Sequence, residues 1–352
     1  MLIACFLFIC RGSGVYGLSG SKADGHEKTN IEPLSGLDNY AIPVNVKGAL
    51  IGKLIITKGS KSRAKIIHDT SGLFRIDRDG NISLKRKVKL LPSDTCVSYR
   101  VTVKAGRWQK EFELVKDDFL RNKVVAHRGA WKHFEASENS LNALRYAIEM
   151  GCAWSEFDVW MAGDGVPVVN HDPRAGGYEI EKTTSTDLKK VALKGDDFLP
   201  TLKQYLLTIK SQNRTRLVLE IKPSQVSLDR TLELTEKVVR MVHDLRAQAW
   251  VTYISFSYHA LVRVMELDPM AKTAYLGSDK EVEQIWKDKM WGVDFNGKMF
   301  MEDKDLIHKA HDLGLKVNVW TINAPSDMKA LLEGGVDYIT TNEPEILLEM
   351  QH

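Results

Sequence analysis

Val124-Val125-Ala126-His127-Arg128-Gly129 is an apolar run that stops at a histidine, an arginine and a glycine. Such a run reads as a buried strand whose C-terminal end meets solvent. Trp154-Ser155-Glu156-Phe157-Asp158-Val159 places two carboxylates two residues apart. Side chains alternate across a strand, so Glu156 and Asp158 point the same way. Arg216-Leu217-Val218-Leu219-Glu220-Ile221-Lys222 repeats the device with a carboxylate and an ammonium. Their neighbours are apolar, so these carboxylates are expected on buried strands, where an unpaired charge is costly.

Working outward, strand and helix patterns alternate from Lys123 onward. Strands are expected at Val124–His127, Trp154–Val159, Leu217–Lys222, Val251–Ser255, Lys272–Leu276, Gly292–Asn296, Lys316–Thr321 and Tyr338–Thr341. Helical patterns follow most of them. One begins at Leu141, with Asn139 or Ser140 as N-cap and Gly151 as the stop. Others run over Leu228–Leu245 and from Asp303 to Leu313. Eight such units over about 230 residues make a (β/α)₈ TIM barrel. The stretch from Gly165 to His171 reads as an extra hairpin returning from the second strand, which would set His171 beside Glu156 and Asp158. Barrel active sites lie at the C-terminal ends of the strands. His127, Asp158, Glu220, Lys222, Ser257, Trp320 and Asn342 all fall at or just after such ends.

Residues 40–118 have another character. Short β-branched runs, such as Leu50–Ile56 and Tyr99–Val103, are separated by turn signals such as Asp79-Gly80-Asn81. The pattern predicts a small all-β sandwich ahead of the barrel. Residues 19–39 are rich in Gly, Ser and Lys and read as a linker. Leu2 to Cys10 is too short to span a bilayer and fits the core of a secretory signal peptide over residues 1–18. The expected plan is therefore signal peptide 1–18, linker 19–39, β-sandwich 40–118 and barrel 119–352. It implies a secreted or periplasmic protein with no transmembrane span. A lipoprotein anchor at Cys5 or Cys10 is the lesser alternative. Cys96 and Cys152 then remain, in different domains, and read as small buried residues rather than a disulfide.

The 352 residues carry a formal net charge of +3 with 27% charged side chains, which gives no electrostatic footprint for nucleic acid. Two histidines, three carboxylates and two cations at strand ends suit metal-assisted phosphodiester cleavage. Hard oxygen donors favour Mg²⁺ or Ca²⁺ over Zn²⁺. Glu138 either begins a helix or supports the site from behind. Trp320 either packs the barrel or walls the substrate pocket.

His127-Arg128-Gly129, Glu138-Asn139, Glu156-x-Asp158-Val159, Asp164-Gly165, His171-Asp172 and Glu220-x-Lys222, in this order, resemble the glycerophosphodiester phosphodiesterase family. The resemblance covers roughly Asn122 to the C-terminus. It implies a (β/α)₈ barrel with one divalent metal, Mg²⁺ or Ca²⁺, on Glu156, Asp158 and Glu220. It implies His127 and His171 as acid and base, with Arg128 and Lys222 facing the phosphate. The expected reaction splits a glycerophosphodiester, a small-molecule substrate, into an alcohol and glycerol 3-phosphate. The chain departs from the family at Ser137 and at Met161-Ala162, neither a proposed ligand. Within residues 40–118, Leu73–Leu84 and Tyr99–Ala105 are similar to cadherin-like repeats, which implies a spacer or an adhesive contact with a cell surface or another protein.

Two other functions are weighed. A lysophospholipase D or sphingolipid phosphodiesterase on the same barrel needs an apolar mouth, whereas the loop from Arg174 to Asp197 is charged. A non-catalytic surface binding protein has no use for the full polar set.

Overall fold

The computed structural model describes residues 32–57, 62–303 and 305–351. The expected signal peptide, Cys5, Cys10 and the first part of the expected linker lie outside the described residues. Residues 32–39 correct the linker reading. Gly36–Leu37 pairs with Leu54–Ile55 as an edge strand, and Leu37 is fully buried. Two residues of strand are too short to show a period, so the sequence reads as loop.

The N-terminal part is two four-stranded sheets. One holds Gly36–Leu37, Leu50–Ile55, Asn81–Leu84 and Phe74–Ile76; the other holds Ala41–Ile42, Trp108–Lys116, Ser98–Ala105 and Lys65–Asp69. Ile51, Ile82, Leu84, Val101, Val103, Phe112 and Leu114 belong to their common core. Strand alternation then turns Glu111 and Glu113 the other way, toward the barrel. Glu113 accepts from Lys210 Nζ at 2.8 Å and from Ser98 Oγ at 2.8 Å, and Arg246 reaches Glu111 at 3.3 Å. Leu34 N–H donates to Leu267 O at 2.6 Å. Lys210, Arg246 and Leu267 all lie at the ends of helices that lead into strands. The β-domain therefore sits on the N-terminal, closed end of the barrel.

The barrel strands are β1 (Val124–Ala126), β2 (Trp154–Met161), β3 (Arg216–Ile221), β4 (Val251–Ser255), β5 (Thr273–Tyr275), β6 (Gly292–Asn296), β7 (Lys316–Trp320) and β8 (Tyr338–Thr341). All pair in parallel in chain order, and β8 pairs with β1 to close the ring. Every expected strand is present, three with the expected bounds and the others with ends shifted by one or two residues. His127 and Lys222 stand just past β1 and β3.

β1 is short, and this matters. Trp154 and Ser155 at the start of β2 pair with β1, while Val159–Met161 pair antiparallel with Pro167–Val169. The returning hairpin thus takes the edge that β1 leaves free, and His171 follows it directly. The helix Leu141–Met150 begins at Ser140, whose side chain accepts from Ala143 N–H, and stops at Gly151 with φ 84°. No helix among the described residues is long and apolar enough to cross a membrane. Cys152 is buried as expected, but Cys96 is exposed, its thiol donating to Ser98 O at 3.1 Å; both are free.

Lys210→Met removes a charged hydrogen bond from a carboxylate only 6% exposed. The variant is expected to lose about 2 kcal/mol in urea unfolding while kcat stays unchanged. An unchanged unfolding midpoint would show that this ion pair does not hold the two domains.

Candidate active site

The parallel register sets Asp158 directly opposite Glu220, with Glu156 two residues earlier on the same face. One oxygen from each of the three carboxylates lies within 4.8 Å of the others, and all three residues are buried. Like charges packed this closely out of water repel. Burial, then the charges of Asp158 and Glu220, push Glu156 well above the usual carboxylate range. Burial and Asp158 push Glu220 up to about 8. Burial alone would raise Asp158 too, but the Lys222 ammonium and the Asn139 amide hold it low. Lys222 Nζ stands 3.2 Å from Asp158 Oδ1 and 2.9 Å from Glu220 Oε1. Those two charges outweigh the cost of its burial and raise its pKa.

Three backbone features build the rim. Arg128 has φ 58° and Gly129 φ 82°, so the chain turns sharply after His127. A Cβ at Gly129 would lie 2.7 Å from Ala143, so glycine is required there. The turn aims the Arg128 N–H at Glu156 Oε2, 2.9 Å away. Arg128 Nη1 meets both Glu138 oxygens at 3.1 and 2.9 Å, so Glu138 anchors the guanidinium and does not cap the helix. Asn139, φ 60°, grips Asp158 twice: its amide donates to Oδ2 at 2.8 Å and its carbonyl accepts from the Asp158 N–H at 3.1 Å.

Both histidines are held by one nitrogen. His127 Nδ1 lies 2.7 Å from Asn342 Oδ1, which can only accept, so Nε2 offers the lone pair. Burial, then the Arg128 charge, lower His127 to about 4. His171 Nδ1 lies 2.7 Å from Asp172 Oδ1, again leaving Nε2 free. Its backbone carbonyl accepts from Trp160 Nε1 at 3.0 Å.

One cavity gathers His127, Arg128, Glu156, His171, Glu220 and Lys222 from the β1–β3 side. Ile254, Phe256, Leu276, Asp294 and Trp320 face it from β4–β7. Asp158 lies behind this wall, 1% exposed. Trp320 both packs and walls: Nε1 donates to Asp294 O at 2.8 Å, and its ring meets Phe256 edge-on at 5.6 Å. Ser257 stays outside and caps the helix Tyr258–Leu267.

Sequence reasoning missed the partners. Asn342 appeared at a strand end without a role, Asn139 read as a cap, and Asp294 and Asp172 were not singled out as site residues. Asn139 carried one signal, since a non-glycine residue at positive φ is often Asn. His133 and His311 do not line this cavity and pair elsewhere, with Glu343 at 2.8 Å and Asp337 at 2.8 Å.

The donor set fits a hard divalent cation. Three buried carboxylates, two of them pushed toward protonation, form a field that such an ion would neutralise. A second group, His133, Glu343 and Glu345, is also close enough, but Lys132 and His133 already occupy Glu343.

Residues 127–346 match the model of the glycerophosphoryl diester phosphodiesterase family. The chain belongs to this family. A crystal structure of a glycerophosphodiester phosphodiesterase from Parabacteroides distasonis is 33% identical, with TM-score 0.64, over 66% of this chain and 98% of that one. A glycerophosphodiester phosphodiesterase from Caldanaerobacter subterraneus subsp. tengcongensis is 28% identical over 66% of this chain and 98% of its own length. A phosphodiesterase from Oleispira antarctica, solved with the product sn-glycerol-3-phosphate, is 28% identical with TM-score 0.57, over 65% of this chain and 97% of that one. The family match falls on the barrel, so the phosphodiesterase assignment belongs to that part of the chain.

Glu156 and Glu220 have folded-state pKa values raised above their unfolded ones. Stability they contribute is present below the unfolded pKa and lost as pH rises through the folded one. Chelator-treated protein is therefore expected to lose stability between pH about 4.5 and 8, by a few kcal/mol. Millimolar Mg²⁺ or Ca²⁺ should suppress that loss in thermal melts. Melts that are flat with pH, or indifferent to the ions, would contradict the carboxylate geometry.

Proposed function

We propose that this phosphodiesterase cleaves glycerophosphodiesters to an alcohol and glycerol 3-phosphate, using a divalent cation held by Glu156, Asp158 and Glu220. The observation that carries the reading is the pairing of two imidazoles on one cavity, each tied at Nδ1 and free at Nε2, beside that buried triad. When bound, the cation would polarise a phosphoryl oxygen and ease ionisation of a nearby hydroxyl. Arg128 and Lys222 lie on the same wall and would stabilise the charge that grows on the phosphoryl oxygens. One ring, neutral with Nε2 unprotonated, takes the proton of the attacking hydroxyl, while the other, entering the cycle as an imidazolium that still donates through Nδ1, gives its Nε2 proton to the leaving alkoxide. Asn342 and Asp172 keep each ring in the tautomer this exchange needs. Glu138 holds the Arg128 fork in one orientation.

Phe256, 44% exposed at the mouth, is the observation that favours the lysophospholipase D alternative. The charged residues between Arg174 and Asp197 favour the deacylated substrate. Turnover of glycerophosphocholine against lysophosphatidylcholine separates the two. For the N-terminal domain we propose a spacer role. Its seat on the closed end of the barrel supports this, because none of its described residues lines the cavity.

His127→Ala and His171→Ala are each expected to lower kcat on glycerophosphocholine at least ~10²-fold with an unchanged circular dichroism spectrum. Chelator should abolish wild-type turnover, and Glu220→Gln should weaken cation binding in a direct titration. Full activity in either histidine variant would overturn the proton-transfer assignment.

A further inference from the structure

Asp294 lies on the inner face of β6, only 2% exposed, on the wall facing the histidines and carboxylates. Its Oδ1 accepts from Asn318 Nδ2 at 2.7 Å, and its backbone carbonyl holds Trp320 Nε1 at 2.8 Å. Among the described residues, Asn318 is the side-chain partner of this carboxylate, and no neighbouring charge acts on it. Ile254, Leu276 and Phe256 on this wall have no polar side-chain atoms, the Trp320 N–H is already committed, and Thr321 and Thr340 bring hydroxyls, so Asp294 is the carboxyl of this wall. Asp294 lines the cavity with acceptor capacity that the protein does not use, so it offers a place for a hydrogen-bonding group.

We infer that Asp294 holds the terminal hydroxyl of the substrate's glycerol and so selects a polyol ester over an apolar one. The inference rests on the proposed reaction in this cavity and adds to it the residue that reads the alcohol. The cationic wall takes the phosphate, so the glycerol arm can extend across the cavity toward β6. An uncharged hydroxyl suits this carboxyl, because burial has pushed it up to about 7 and no cation balances it. Near neutral pH it can donate as well as accept. The rival account is structural. Asp294 also borders a void lower in the barrel, where Asn318 Oδ1 and Thr252 Oγ1 have no partners, and its carboxyl would then serve only that interior.

The test compares glycerophosphocholine with its analogue lacking the terminal glycerol hydroxyl, on wild type, Asp294→Ala and Asp294→Asn. Wild type is expected to prefer the hydroxyl-bearing substrate by roughly 10²-fold in kcat/KM. Asp294→Ala should lose most of that preference by slowing glycerophosphocholine while leaving the analogue near its wild-type rate. The cycle is therefore non-additive. Asp294→Asn, which keeps a donor and an acceptor, should retain the preference. Equal losses on both substrates in Asp294→Ala, or discrimination unchanged in it, would overturn the role. Should Asp294→Ala fail to fold, Asp294→Leu, close in shape and without a polar side-chain atom, decides: a normal melt with lost preference supports the inference, and an unchanged preference overturns it. Wild-type turnover of glycerophosphocholine tests the underlying reaction separately.

Discussion

Repulsion among Glu156, Asp158 and Glu220 is the constraint around which the open end of this barrel is arranged. Three carboxylates out of water and within 4.8 Å of one another cannot all be ionised without compensation. Lys222 supplies one positive charge between two of them. Asn139 and the Arg128 N–H supply fixed dipoles to Asp158 and Glu156. The left-handed conformations at Arg128, Gly129 and Asn139 exist to aim those dipoles. Strained backbone of this kind persists where the surroundings over-determine it, and it collects at functional sites.

The shortness of β1 is the second device. A longer strand would occupy the edge of β2 beyond Ser155 and carry His127 past the carboxylates. Ending at Ala126, it leaves His127 at the cavity and frees Val159–Met161 for the returning hairpin. The hairpin delivers His171 to the same hollow. Two imidazoles that follow two strands on the same edge of β2 thus converge on one site. The β-domain adds its contacts at the far end, where Glu113 and Glu111 meet Lys210 and Arg246. Chemistry and domain docking are kept at opposite ends of the barrel.

Much of this was legible in the residues themselves. The apolar runs ending in His127, Asp158, Glu220 and Lys222 marked both the strands and their active ends. A period of two in a buried strand leaves little choice of face. The ordered motifs placed the barrel in its family, and the family match over residues 127–346 agrees. What stayed hidden were contacts between distant segments. Asn342 lies 215 residues from His127, and Asp294 carries no local pattern that separates it from an ordinary strand residue. The strand Gly36–Leu37 was hidden for another reason, since two residues cannot show a period.

The sequence by itself determined the strand order, the inward face of each barrel strand and the chemical types at their ends. Those follow from local periodicity and from the cost of burying charge. Only the tertiary structure decided which nitrogen of each histidine is free, what holds Arg128 and Asp158, and that Asp294 faces the histidines with acceptor capacity to spare. Each of those depends on ring closure, which brings β8 beside β1 and sets β6 across from β2. No short-range pattern in a linear chain encodes that proximity.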